Sequence, residues 1–320
     1  MNQEKAKQLT EKLLKSPAGR EVLGKHLNID LMTKQEAESV PELATIAVLV
    51  PCYHSPEPMM ADSLSQVYNY CREHKTCNIY SGPHVVGSSV VHWSRNYLVA
   101  ELIKSQKPWT HILFWDDDIV CTPNLVERLL AHGKDIVGAV CTKRTDPPVP
   151  NVRFWDEEIK GFRGIFDWPR NQLIEVGGIG TGIILISRTA MEQVADAYFT
   201  CKYEREVFQI TEALAEKIME ERLRVFDDTA NASWFRFLPD LKGASEFGED
   251  MSFCLMAKRY CNIPIYADTA IRPKHIGKYG FSVDDYEPYK DQVLEKAKAE
   301  GNYRPMPGVR IELPAIEVIG

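Results

Sequence analysis

Several features that would assign the chain to a class at once are missing. No run of apolar residues approaches the ~18 that a membrane-spanning helix needs, and no internal repeat or low-complexity segment occurs. The start, MNQEKAKQLTEKLLKSPAGREVLGKHL, has no uninterrupted apolar segment like that of a secretory signal. Its acidic and basic residues are interspersed, which favours a surface helix over one lying on a membrane. We therefore expect no membrane insertion.

Cysteine spacing and net charge argue against further classes. The 8 cysteines include no CxxC pair, so the common zinc-ligand spacings are absent. Most of them lie in apolar runs, where a reduced cysteine behaves as a small hydrophobic residue, and we expect a reducing, cytoplasmic environment without disulfides. The formal net charge of −7 gives no overall attraction to nucleic acid. A locally basic stretch does occur, for which a solvated loop with balancing acids is the more natural interpretation; it contains Lys143, Arg144, Arg153, Lys160, Arg163 and Arg170.

Strand and helix patterns alternate along the chain. ATIAVLVPCY (44–53), CNIYSG, HILFW and DIVGAVCTKR are typical of buried strands, and helical spacing follows each of the first three. The helix pattern TPNLVERLLAHG has Thr122 as its predicted N-cap and Pro123 at its first position. Such alternation predicts an α/β fold with a mostly parallel central sheet and helices on both faces. The predicted divisions are a helical extension at 1–43, one domain at 44–285, and a helix and tail at 286–320.

Three adjacent aspartates follow the third predicted strand, in HILFWDDDIVCTP (111–123). Ligands of such sheets bind beyond the carboxyl ends of the strands, and Asp116, Asp117 and Asp118 stand at such an end. Apolar residues flank them on both sides, and burying carboxylates is unfavourable without a counter-ion. Carboxylate oxygens suit Mg²⁺ or Mn²⁺ shared with substrate phosphates. The pattern favours a divalent metal site, and an acidic turn that caps the next helix is the alternative.

Three further signals are weak when taken alone. The segment GGIGTGIIL lacks the third glycine of a dinucleotide-binding GxGxxG, so it indicates close backbone approach to a substrate or a neighbouring strand. Glu249 and Asp250, in FGEDMSF, precede an apolar helix, where acids also serve to complement the helix dipole. A histidine in RPKHIG follows a strand, and most single histidines are structural or solvated. The order of these signals after the aspartates gives them weight.

In this order the segments resemble the DXD-containing nucleotide-sugar glycosyltransferases of the GT-A fold, family 2 in particular. IAVLVPCY is similar to the strand whose end contacts the nucleoside, GSSVVHWSRN to a glycine-to-ARN segment, and LFWDDD to the metal-binding DXD strand. GTGIILISR is similar to the strand near the acceptor, GED to the acidic pair, and KHIG to a late histidine. The resemblance covers roughly residues 44–280. It implies a single Rossmann-like GT-A catalytic domain at 44–285.

The resemblance also implies a reaction and a role for each matched residue. The enzyme would move a sugar from a nucleotide-diphosphate sugar, UDP- or GDP-linked by default, to an acceptor hydroxyl. Asp250 would be the general base, with Glu249 as its neighbour and fallback, and in-line attack would invert the anomeric centre. The implied ligands of Mn²⁺ or Mg²⁺ are Asp116, Asp118 and His275. The implied donor contacts are Pro51, Cys52, Tyr53, Arg95, Asp116, Asp117 and Lys274. The implied acceptor contacts are Gly180, Gly182, Trp234 and Phe235, the two aromatics being at least as compatible with a place in the core.

The sequence leaves the acceptor and two other function classes open. A glycan, a small molecule, a protein or a modified DNA base are all compatible, and so is an oligomer. NIYSGPHVVG lacks the aspartates that read the base in many such enzymes, and PNVRFWDEEIKGFRGIFDWP (150–169) has no counterpart in the family. One alternative is a nucleotidyltransferase, which would usually carry a glycine loop where VPCYHSPEP stands. The other is a non-catalytic nucleotide-sugar-binding module of the same fold, which needs no base.

Overall fold

The computed structural model describes residues 43–53, 55–82, 90–145, 147–225, 234–239, 246–277, 280–301, 303 and 310–311. The predicted extension at 1–43 therefore lies outside the described residues except for its last position, and so does most of the predicted tail after residue 303. The predicted helical stretch at 200–226 and the segment GSSVVHWSRN are described in part. No helix within the described ranges is long and apolar enough to cross a bilayer.

Short strands and helices alternate through the described chain. The strands are β1 (Thr45–Leu49), β2 (Asn78–Ser81), β3 (His111–Trp115), β4 (Ile119–Val120), β5 (Ile136–Ala139), β6 (Val152–Asp156), β7 (Gly161–Gly164), β8 (Leu173–Val176), β9 (Gly178–Ile179), β10 (Ile183–Ser187), β11 (Leu238–Pro239), β12 (Glu246–Phe247), β13 (Ile265–Asp268), β14 (Lys274–Ile276), β15 (Gly280–Phe281) and β16 (Arg310–Ile311). The helices are α1 (Pro58–His74), α2 (Val91–Lys104), α3 (Leu125–Ala131), α4 (Arg188–Phe199), α5 (Lys202–Val207), α6 (Glu212–Val225), α7 (Glu249–Leu255), α8 (Val283–Tyr286) and α9 (Lys290–Ala299). A π-helical turn (Met256–Tyr260) continues α7, and a 3₁₀ turn (Glu287–Tyr289) joins α8 to α9.

The central sheet has eight strands in the order β16-β8-β13-β5-β10-β3-β1-β2. β1 is parallel to both β2 and β3, and β5 is parallel to β13. β10 runs antiparallel between β3 and β5, and β8 runs antiparallel between β13 and β16. All the other strands share one direction, so their carboxyl ends meet at one edge of the sheet. The predicted α/β fold with a mostly parallel sheet is confirmed.

Helices cover both faces of the sheet. The side chains of each central strand point alternately to the two faces and are apolar on both, so both faces must be buried. Ile46 and Val48 of β1 belong to a core cluster that also contains residues of α1 and α3. Ala47 and Leu49 belong to a second cluster on the other face, with residues of α2, α4 and α7. All five residues of β1 are buried, and each large aliphatic side chain fully removed from water contributes about 1.5–3 kcal/mol. This packing fixes the strand ends that carry the polar residues described next.

The start of α3 differs from the prediction. The helix begins at Leu125 with Asn124 as its N-cap, so the assignment of Thr122 as N-cap and Pro123 as first helical residue is wrong. The Thr122 hydroxyl donates to Asn124 Oδ1 at 2.8 Å, and the Thr122 carbonyl accepts from the Leu125 N–H at 3.2 Å. These residues form a separate turn between β4 and the helix.

Candidate functional site

The three aspartates form a tight turn between β3 and β4. Trp115, the last residue of β3, is fully buried, and its indole Nε1 donates to the Ile119 carbonyl at 2.7 Å. The Ile119 N–H donates to the Asp116 carbonyl at 3.2 Å, which closes the turn. The Asp116 N–H donates to the Gly182 carbonyl at 2.9 Å, which joins the turn to the segment before β10. The backbone of the turn is therefore held from both sides, at the edge where the parallel strands end.

Short strand pairing brings His275 to Asp118. β14 is antiparallel to β4, with His275 opposite Ile119, and the Ile276 N–H donates to the Asp118 carbonyl at 2.7 Å. The His275 side chain places Nε2 3.0 Å from Asp118 Oδ1. Its other ring nitrogen, Nδ1, lies 2.8 Å from the carbonyl oxygen of Thr142. Two residues far apart in sequence thus share one polar contact beside the aspartate turn.

The partners of His275 determine where its protons lie. A carbonyl oxygen only accepts hydrogen bonds, so the contact with Thr142 places a proton on Nδ1. In a neutral ring Nε2 then presents a lone pair to Asp118, and two acceptors 3.0 Å apart require a proton or a cation between them. Burial lowers the pKa of His275, but the hydrogen bonds to Asp118 and to the Thr142 carbonyl outweigh it and raise that pKa above its ordinary value.

Arg95 connects the aspartate turn to the predicted acidic pair. Its side chain, on α2, is 3% exposed. One terminal nitrogen lies 2.9 Å from Asp116 Oδ1 and the other lies 2.6 Å from Glu249 Oε1. Burial raises the pKa of Glu249, the Arg95 charge opposes that rise, and the neighbouring Asp250 adds to it. Glu249 is therefore the partner of a buried cation, and Arg95 lies among carboxylates.

Asp250 occupies a different position from Glu249 although it is the next residue. α7 begins at Glu249 with Gly248 as its N-cap, and Asp250 Oδ1 accepts the Met251 N–H at 2.7 Å. This is a bond to an amide that the first helical turn leaves unpaired, so part of the helix-capping interpretation holds. Asp250 is half-buried.

Asp117 contacts the loop that follows β1. Burial raises the pKa of Asp117, hydrogen bonds from the Cys52 thiol and the Tyr53 backbone oppose the rise, and the adjacent aspartates add to it. The Asp117 carbonyl accepts the Glu57 N–H at 2.9 Å. Pro51 and Cys52 are buried and Tyr53 is exposed. The implied donor contacts after β1 thus lie beside the middle aspartate.

The glycines of the implied acceptor segment permit close approach of their neighbours. A Cβ on Gly182 would lie 2.6 Å from Ile119 Cδ1 and 3.4 Å from Asp116 Oδ2. A Cβ on Gly180 would lie 2.0 Å from Asn151 Nδ2. Gly182 is therefore in contact with the aspartate turn. The space where a side chain of residue 180 would lie is filled by the side chain of Asn151.

The implied aromatic platform is part of the core. Trp234 is 2% exposed and donates Nε1 to the Met191 carbonyl at 3.2 Å, and Phe235 is fully buried against Phe253. The Asn96 side-chain amide bonds the backbone of both aromatics, accepting from each N–H and donating to the Phe235 carbonyl. The structure thus places them as the core alternative describes, and neither ring has a face left for an acceptor.

Arg144 is the site residue that the sequence reasoning missed. A terminal nitrogen of Arg144 lies 2.9 Å from Asp118 Oδ2. Lys274, the cation that the resemblance implies as a donor contact, is exposed instead. Because side chains alternate along a strand, Lys274 projects from β14 to the side opposite His275. The sequence signal for Arg144 was its position, because CTKR begins two residues after the last residue of the parallel strand β5. Other arginines of the same basic stretch pair with acids, Arg163 with Asp156 and Arg170 with Glu287. Both pairs are charge-balanced, but only that of Arg170 is solvated, because the Arg163 and Asp156 side chains are 13% and 1% exposed.

The residues beside the aspartate turn partly fit a divalent cation. Among the described residues no group of three or more His, Cys, Asp or Glu side chains is arranged to hold a metal, and Asp116, one of the three implied ligands, is paired with Arg95. Asp118 and His275 do form a contact pair whose facing acceptors require a proton or cation between them. The carboxylate oxygen of Asp118 suits both Mn²⁺ and Mg²⁺, whereas the imidazole of His275 suits a transition metal such as Mn²⁺ better than Mg²⁺.

Comparison with known proteins gives structural neighbours only. No protein-family model matches the chain, and no curated protein matches it. A197 from STIV is 16% identical over 76% of this chain and 92% of its own, with a TM-score of 0.38. A glycosyltransferase involved in the glycosylation of the major capsid of PBCV-1 is 14% identical over 55% and 74%, with a TM-score of 0.27. GalNAc-T7 with UDP, GalNAc and Mn²⁺ is 10% identical over 76% and 45%, with a TM-score of 0.37. A nucleoside-diphosphate-sugar pyrophosphorylase from Vibrio cholerae RC9 is another neighbour.

Proposed function

We propose that the chain is a metal-dependent glycosyltransferase that moves a sugar from a UDP- or GDP-sugar to an acceptor hydroxyl. One observation carries the proposal: residues from separate segments, Arg95, Asp116 and Glu249 on one side and Asp118, Arg144 and His275 on the other, meet at the carboxyl edge of the sheet. Charged and partly buried clusters of this kind are where ligands of such sheets bind.

On the donor side, Asp118 and His275 would hold Mn²⁺ or Mg²⁺. The ion would supply charge stabilisation for the departing nucleoside diphosphate. The Thr142 carbonyl fixes the His275 ring with Nε2 toward Asp118, and histidine ligands of metals commonly donate their other ring N–H to a carbonyl in this way. Asp117, with Cys52 and Tyr53, would face the nucleoside.

On the acceptor side, Asp250 is the better candidate for the general base. Glu249 is engaged with Arg95 at 2.6 Å, so its carboxylate serves to position that guanidinium. Asp250 holds one oxygen on the Met251 amide, which orients the carboxylate, and its side chain is half-buried. Removal of the acceptor proton by a fixed carboxylate is general base catalysis. In-line attack by that acceptor would invert the anomeric centre.

The hairpin formed by the unmatched segment 150–169 is a candidate acceptor contact. β6 and β7 form this hairpin, and the Phe162 ring lies 5.3 Å from that of Phe247, two residues before Glu249. Trp155 contacts the same ring pair and, with Phe162 and Leu255, lines a cavity of about 170 Å³. These partly exposed aromatics lie beside the acidic pair, and this supports an acceptor role for the hairpin. Trp234 and Phe235 are buried in the core and offer no such surface.

The test is release of nucleoside diphosphate from a panel of UDP- and GDP-sugars, with Mn²⁺, with Mg²⁺ and with chelator. We expect one donor to be turned over with metal only. Asp250→Asn should abolish transfer to an acceptor while the chain still binds the donor, whereas Glu249→Gln should cost folding stability as well. Donor binding that is the same in Asp250→Asn and in a wild type that releases no nucleoside diphosphate would favour the binding module instead. Pyrophosphate exchange into a nucleotide sugar would favour the nucleotidyltransferase.

A further inference from the structure

Both carboxylate oxygens of Asp118 are engaged, and by partners of different accessibility. Oδ1 faces His275 at 3.0 Å, and Oδ2 faces an Arg144 terminal nitrogen at 2.9 Å. The Asp118 and His275 side chains are 14% and 18% exposed, whereas that of Arg144 is 52% exposed. The guanidinium is thus the outer and more replaceable partner of this carboxylate.

The backbone beside Arg144 is anchored, so its side chain stays within reach of the site. The Lys143 N–H donates to the Val149 carbonyl at 2.8 Å, and Thr142 forms a bridge with Pro150. The Thr142 carbonyl is also the acceptor for His275 Nδ1. One anchored segment therefore supplies both the group that orients the histidine and the guanidinium that covers the aspartate.

A cation bound by Asp118 and His275 would meet the charge of Arg144 on the same carboxylate. Two positive charges this close repel, and a half-exposed ion pair contributes only about 0–1 kcal/mol, so the guanidinium would yield. A guanidinium released beside the cation is well shaped for phosphate oxygens, because its planar fork donates two parallel hydrogen bonds.

We propose that Arg144 and a divalent cation occupy Asp118 in turn, and that the displaced Arg144 binds the diphosphate of the nucleotide donor. The second half of this statement rests on the function proposed above. The first half concerns only the cation and the carboxylate, so it is tested separately.

The experiment uses isothermal titration of the full chain and of its Arg144→Gln variant. MnCl₂ alone is titrated first, and UDP or GDP is titrated next at saturating Mn²⁺. Loss of the competing guanidinium should tighten Mn²⁺ binding about two- to fivefold, the value of an exposed ion pair. Loss of the phosphate contact should weaken nucleotide binding about tenfold. A merely structural role would not move the two affinities in opposite directions.

Two further variants sharpen the comparison. Arg170→Gln removes a side chain of similar exposure, 50%, that pairs with Glu287, and it should leave both affinities unchanged. Arg144→Lys keeps the charge without the fork, so Mn²⁺ affinity should stay near that of the wild type while nucleotide affinity is intermediate.

Each contrary result has a definite meaning. Absent Mn²⁺ binding, or Mn²⁺ affinity in Arg144→Gln equal to or weaker than that of the wild type, overturns the competition for Asp118. Unchanged nucleotide affinity in that variant overturns the diphosphate contact. Mn²⁺ binding without any UDP or GDP binding by the wild type contradicts the proposed function, and with it the diphosphate contact, while the Mn²⁺ titration still decides the competition.

Discussion

Replacing Arg95 by methionine should be among the most destabilising single changes at the site. The substitution removes a cation that is 3% exposed and leaves two carboxylates without their partner. Removing one member of a buried pair costs about 3–5 kcal/mol, because the remaining charge is stranded in a poorly solvated place. The Glu249 side chain is 14% exposed, but that of Asp116 is 28% exposed and is more easily rehydrated. We therefore expect a loss near the lower limit, about 3 kcal/mol.

The assay is urea unfolding followed by circular dichroism, with two companion variants. Arg170→Met removes an arginine from an exposed pair and should cost less than about 1 kcal/mol. Glu249→Gln in the Arg95→Met background removes the stranded charge, so the double variant should be no less stable than Arg95→Met alone, a coupling typical of contacting residues. A loss below about 1 kcal/mol for Arg95→Met, or additive losses in the double variant, would refute this reasoning.

Two further predictions concern the scaffold. Burial raises the pKa of Asp268, but hydrogen bonds from His132 and Arg128 more than offset this effect, so the pKa lies below its ordinary value. Such a carboxylate stabilises the fold at pH values above its unfolded pKa of about 3.9. That stabilisation is lost as the pH falls through the folded pKa. The stability gap between wild type and Asp268→Asn should therefore close as urea unfolding is repeated from pH 6 toward pH 2, and a gap independent of pH would contradict this. In Gly138→Ala the new Cβ would lie 2.5 Å from a β10 carbonyl oxygen, so we expect a loss of about 1–3 kcal/mol, whereas Gly161→Ala, whose nearest neighbour is at 3.5 Å, should lose less in the same assay.

The sheet and the aspartate turn were predictable from the sequence for clear physical reasons. Continuous apolar, β-branched runs such as TIAVL and HILFW are buried on both faces of the sheet, and such strands need no long-range information to be recognised. Because parallel strands end at one edge, the position of Asp116–Asp118 after β3 already indicated a ligand site. The domain boundaries and the cytoplasmic location stay predictions, and the sequence leaves the acceptor and the oligomeric state open.

The remaining parts of the site depend on contacts that leave no periodic signal. His275 reaches Asp118 through pairing of the two-residue β4 with the three-residue β14, too short to show a pattern. Arg144 was recognisable only by its place after β5. Trp234 and Phe235 look like a platform in sequence, yet a single amide, that of Asn96, holds their backbone in the core.

The most direct test of the central claim compares Asp118→Asn with wild type in metal-dependent release of nucleoside diphosphate from the preferred nucleotide sugar. Asp284→Asn, which alters an exposed carboxylate paired with Arg272, is the matched control and should behave as the wild type. If Asp118 holds the cation beside the diphosphate, its loss should lower the rate by more than about a hundredfold in a variant that circular dichroism shows to be folded. Equal metal-dependent rates in Asp118→Asn and wild type would contradict the assignment of this carboxylate cluster as the catalytic site.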